Sequence, residues 1–166
     1  MTVSNAELLE IARTLPIPVP WDRDLFVANL ARMRGRPIRL VPTNTAAMTD
    51  SPCGLWITRD DDDLILHDTG TSAYHIDQIV CHEVGHMVLG HSRCEKLGDE
   101  KARQIQLCVS LLPDLDPATV HAILGRTSYP NDEERDAEMF ASMLMVAAAE
   151  ASRDDSMMRS VFFWPK

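Results

Sequence analysis

The chain has 166 residues, enough for one domain with a real core and too few for two well-buried ones. Apolar residues make up 45% and charged residues 25%, the balance of an ordinary globular protein, and no run of about 18 apolar residues exists to form a spanning helix. With 25 acidic against 16 basic side chains the net charge is −9, which argues against direct nucleic-acid binding, where Lys and Arg must neutralise phosphates.

The first fifteen residues are amphipathic and carry Glu7 and Glu10, without the basic end and apolar block of a secretory signal. Cys53, Cys81, Cys94 and Cys108 form no C-x-x-C pair and lack the density of a disulfide scaffold. The expectation is reduced thiols, a cytoplasmic location and no role for Cys81 or Cys94 in binding metal.

In chain order, Ser4 is placed to cap a helix through Leu8, Leu9, Ile11, Ala12 and Leu15, with Glu7 in its first turn. Pro16, Pro18 and Pro20 impose an extended connection, and Asp22 caps a second helix that runs to Gly35. The arginines at 32, 34, 36 and 39 read as a solvated helix end. Residues 37–42, 54–58 and 64–67 read as three short strands. The last two are expected to form a hairpin, with residues 59–63 as a solvated acidic turn.

Residues 74–89 read as one helix, with apolar positions at Ile76, Ile79, Val80, Val84, Met87 and Val88 and Gly90 placed to close it. Further helices are expected at 100–112 and 116–124, then a loop at 127–132. A longer helix is expected at 133–152, with Ala137, Phe140, Ala141, Leu144, Met145 and Ala148 as its apolar stripe. The segment 153–166 is an aromatic-ended tail expected to dock on its own domain. The whole reads as a single domain: helices to residue 36, a small sheet over 37–67, the helix over 74–91, the later helices and the tail.

Within the helix over 74–91, His82, Glu83 and His86 spell H-E-x-x-H. Residues four apart share a face of a helix, so both imidazoles reach one ion. Glu83 beside them is placed as a general base toward a water activated by that ion. Gly85, which costs about 1 kcal/mol relative to Ala in a helix, implies close approach of another backbone beside the site.

Catalytic zinc commonly takes three protein ligands and leaves one position open. The arrangement H-E-x-x-H-x-x-G-x-x-H fails here, because Gly90 falls one place late and Ser92 stands at the ligand position. Glu134 is the better candidate, with Glu138 in reserve. Both share a helix face with Ala137 and Ala141, whose small side chains permit close packing on the motif helix. Tyr129, His91, His121 and His75 are candidates to steady an oxyanion, and Glu138, His91 and Tyr129 are candidates for polar support around the ligands.

The pair H-E-V-G-H-M-V-L-G-H and E-x-x-A-x-x-F-A-x-x-L resembles the ImmA/IrrE metallopeptidases, a gluzincin-like group. The resemblance implies a compact α+β zincin-like domain, mostly helical, with a small antiparallel or mixed three-stranded sheet packed on the metal helix. It also implies Zn2+ held by His82, His86 and Glu134, with Glu83 as general base and acid. Characterised members cleave helix-turn-helix repressors, relieving repression of phage, mobile-element or stress genes. In that family Asn or Asp commonly stands where this chain has Glu138, and the Leu-Met-Pro ending of the helix is replaced by Met143-Leu144-Met145-Val146.

The resulting expectation is a zinc endopeptidase with a protein substrate, no direct nucleic-acid contact and no membrane contact. An extended substrate would pair with a sheet edge, assigned to the 64–67 strand. The rival expectations are a metal-bound regulatory module that holds a repressor without cutting it, and a toxin-like partner of an antitoxin.

Overall fold

A computed structural model describes residues 3–43, 54–59, 61–91 and 131–162, with side chains of the last segment described to residue 157. The helices expected at 100–112 and 116–124 lie outside these residues, as do Cys53, Cys94, Cys108, His121 and Tyr129. Among the described residues the chain folds as α+β. Helices α1 (Asn5–Thr14) and α2 (Arg23–Arg34) precede strands β1 (Ile38–Thr43), β2 (Gly54–Thr58) and β3 (Asp63–Asp68). Helices α3 (Ala73–Val88) and α4 (Asn131–Phe162) follow.

The starts of α1, α2 and α3 each match a local cause. At α1 the Ser4 side chain accepts from Glu7 N–H while the Glu7 carboxylate accepts from Ser4 N–H at 3.0 Å, a reciprocal capping box. Asp22 caps α2 by accepting from Leu25 N–H at 2.9 Å, and Gly35, at φ 66°, closes it. Ser72 caps α3 through His75 N–H at 3.2 Å. Such caps each contribute about 1 kcal/mol.

The sheet has the order β1-β3-β2 and is mixed. β3 pairs parallel with β1, from Ile38 opposite Asp63 to Thr43 opposite Asp68, and antiparallel with β2, from Gly54 opposite His67 to Thr58 opposite Asp63. The expected hairpin is therefore present. The edge assignment is corrected: the 64–67 strand is the central one, and β2 is the edge nearest α3. Successive side chains of a strand alternate between faces, so the burial of Leu64, Ile65 and Leu66 shows that β3 is covered on both, in keeping with its unbroken apolar run.

Two further expectations are corrected at the foot of the sheet. The acidic turn is not simply solvated: Asp62 and Asp63 are buried. Asp63 faces Arg34 at 3.4 Å and Arg36 at 3.3 Å, and Asp62 pairs with Arg39 at 3.0 Å and with Arg59. Three of the four arginines read as a helix end thus fasten the end of α2 and the start of β1 to β3. Burying these carboxylates is tolerable because each is met by guanidinium groups.

The core is shared by α1, α2, α3 and α4, with Phe26, Leu30, Ile65, Val80, Val84, Phe140 and Leu144 deeply buried. α3 packs on α4 and on β2 and β3, and α1 packs on α4. α4 begins two residues before the expected start and continues helically past Ser152 to Phe162, so residues 153–162 are not a tail. No Pro or Gly occurs between Asn131 and Phe162 to stop it. Among the described residues, no helix is long and apolar enough to cross a membrane.

Candidate metal centre

Three anchors fix the helices that carry the site. Asp77 on α3 accepts from Trp21 Nε1 at 3.0 Å and from Arg23 Nη1 at 2.7 Å, tying α3 to the start of α2. The buried Asp136 on α4 accepts from Val3 N–H at 3.1 Å, which holds the second turn of α4 against Val3. Between α3 and α4 the contact is close at Gly85. A methyl group there would lie 3.2 Å from Cα and from the carbonyl oxygen of Ala137, and 3.1 Å from Phe140 Cδ1. The close backbone approach expected from Gly85 is thus met by Ala137.

This contact brings Glu134 over the motif. His82 Nε2 and His86 Nε2 are 3.1 Å apart, and Glu134 approaches them at 3.4 Å and 3.6 Å through its two oxygens. Tetrahedral coordination at bond lengths near 2.0–2.2 Å places neighbouring ligand atoms about 3.3 Å apart. The two histidine nitrogens lie near that spacing, each faces a different oxygen of Glu134 at a similar distance, and one ligand atom from each residue lies within 4.8 Å of the other two. Two neutral imidazoles and a carboxylate at this spacing fit a divalent cation. Glu138 does not belong to this group, and Glu134 alone supplies its carboxylate.

The inner end of the site is sealed and the outer end is open: the His86 side chain is 1% exposed and that of Glu134 is 36% exposed. The electrostatics favour a cation. Burial by itself pushes the pKa of His82 down, but the hydrogen bond it donates to Glu134 and the charges of Glu83, Glu134 and Glu138 outweigh it, and the net shift is upward. The same negative surroundings favour a cation held between His82, His86 and Glu134.

Glu83 is buried in the wall between α3 and the edge strand. Gly54 at the start of β2 makes room for it, since a Cβ there would lie 3.0 Å from Glu83 Oε1 and would collide with Ile79. The site opens into a cleft of about 430 Å³ lined by Gly54, His75, Gln78, Ile79, His82, Glu83 and, from α4, Glu134, Glu138, Ala141 and Ser142. Glu138 is placed at this cleft, where its charge acts on His82. Of the oxyanion candidates among the described residues, His75 lines the cleft and His91 does not. His91 instead meets the other ring nitrogen of His86, Nδ1 to Nδ1 at 2.9 Å.

Gly54, Gln78 and Ser142 were not singled out from the sequence. Gln78 had a signal, lying one turn before His82 on the same helix face, and Ser142 likewise lies one turn after Glu138. Gly54 had none, because its role depends on a strand meeting a helix. Cys81 is buried beside Met145, with burial pushing its thiol pKa far up, and it takes no part in the ligand group. Comparison with protein families, with curated proteins and with solved structures returned no match.

Proposed function

We propose that the chain is a zinc-dependent endopeptidase of the ImmA/IrrE kind that cleaves a helix-turn-helix transcriptional repressor. The observation that carries the catalytic part is the set of His82, His86 and Glu134, with one ligand atom from each within 4.8 Å of the others and Glu83 beside them on the wall of an open cleft. The substrate class is supported by the resemblance of the two motifs to that family. Zinc held by these residues supplies a Lewis acid for the scissile carbonyl and lowers the pKa of water to roughly 7.

Glu83 takes the proton of the attacking water and delivers it to the leaving amine. β2, the edge strand beside the cleft, aligns an extended substrate by strand pairing. His75, on the same helix face as His82, provides a hydrogen bond to the oxyanion.

The test mixes zinc-loaded protein with a helix-turn-helix repressor encoded beside it. Wild type is expected to cut the repressor, while Glu83→Gln keeps zinc and fold and leaves it whole. Full cleavage by the variant refutes the role of Glu83. A repressor held intact in a stable complex by the zinc-loaded wild type replaces the protease reading with that of a regulatory module.

A further inference from the structure

Helix α3 closes in a turn that returns the chain onto one of its own metal-facing residues. Gly90 adopts φ 67°, the left-handed conformation open to glycine. Beyond it the N–H of His91 donates to the carbonyl of His86 at 3.0 Å, and Leu89 N–H donates to Gly85 at 2.9 Å. The bond from His91 back to His86 is the backbone signature of a Schellman cap, in which the last residue commonly sets an apolar side chain against the residue it bonds. Here both side chains are imidazoles, with ring centroids 5.1 Å apart, planes inclined by 67° and the two Nδ1 atoms at 2.9 Å.

We propose that His91 is a positioning residue for the metal centre: its Nδ1 accepts the Nδ1–H of His86, fixing the tautomer and ring orientation in which His86 offers its Nε2 lone pair to the ion. The inference rests on the reading of His82, His86 and Glu134 as metal ligands. A neutral imidazole carries one proton, so a ring that ligates through Nε2 carries it on Nδ1. His86 faces His82 and Glu134 with Nε2, which leaves Nδ1 as the buried donor in need of an acceptor. His91 fills that need, and in doing so takes the tautomer protonated at Nε2. The backbone bond from His91 to the His86 carbonyl and the contact between the two rings together hold the pair at the end of α3. A ligand histidine held through its other nitrogen is more basic and better oriented than a free one.

The test measures zinc affinity of the full chain by competition with a chromophoric chelator, for wild type, His91→Phe and His91→Asn. Phe keeps a ring in place without an acceptor and is expected to lose about 10–100-fold in affinity; Asn offers a carbonyl oxygen and is expected to regain most of it. Unchanged affinity in His91→Phe, or an equal loss in both variants, overturns the inference. Nitrogen NMR of the zinc-loaded wild type gives a reading that needs no variant. Protons on His86 Nδ1 and His91 Nε2 support the proposal, and a proton on His91 Nδ1 overturns it. A wild type that binds no zinc removes the metal-site reading itself, an outcome distinct from a zinc-binding wild type matched by His91→Phe.

Discussion

Gly85→Ala sets local helix preference against packing at the centre of the site. In an isolated helix the change is favourable by about 0.5–1 kcal/mol, because alanine loses less conformational freedom. In this protein the new methyl lies 3.1–3.2 Å from Phe140 Cδ1 and from the Ala137 backbone, where carbon contacts prefer about 3.5–4.0 Å. α4 must retreat by a few tenths of an ångström, yet it is held by α1 as well as α3, and overpacking of this kind costs about 1–3 kcal/mol. The expected net effect is destabilisation by about 1 kcal/mol, a fall in Tm of about 2–4 °C for a domain of this size. The same retreat carries Glu134 away from His82 and His86, so zinc affinity falls as well. Urea unfolding of the metal-free protein and chelator competition measure the two effects. A variant stabilised by the full helix preference, with unaltered zinc affinity, refutes the claim that this contact sets the ligand geometry.

Asp63→Ala strips the buried partner from Arg34 and Arg36. Removing one member of a buried pair costs about 3–5 kcal/mol, and the two arginines, 27% and 28% exposed, bring the expectation to about 2–3 kcal/mol in urea unfolding, with zinc affinity unchanged. Asp62 has its pKa lowered chiefly by the hydrogen bond from Arg59, with burial opposing. A depressed carboxylate contributes stability in full above its unfolded pKa of about 3.9 and loses it as pH falls through the lower folded value. Arg59→Ala is therefore expected to flatten the acid limb of the stability curve below about pH 4. An unchanged acid limb shows that the pair is energetically silent.

Much of this arrangement was legible in local sequence, where the cause lies within one turn. Ser4 with Glu7, Asp22, Gly35 and Gly90 mark helix ends where the closing bonds span three to five positions, and the structure has each of them. The pairing of His82 with His86 was legible for the same reason, since a spacing of four on a helix fixes a shared face. Glu134 required one more step, the small residues Gly85, Ala137 and Ala141 that let two helices approach.

What was illegible depends on pairing across the chain. Nothing near residues 64–67 says that β1 will join them in parallel, so the central strand read as an edge. Asp62 and Asp63 read as solvated because their arginine partners at 34, 36 and 39 come from another element. The helix past Ser152 was missed because its apolar stripe gives way to Arg153, Asp154 and Asp155, although nothing there breaks a helix. His91 was set aside as a ligand on spacing alone, and only the turn at Gly90 reveals that it meets His86.

The most direct test of the central claim is the metal content of the purified protein, in wild type and in His82→Ala and Glu134→Ala. One zinc per chain in wild type, lost in both variants, is the expected result. Wild type without metal after zinc is added back, or zinc retained in full by Glu134→Ala, contradicts the site described here.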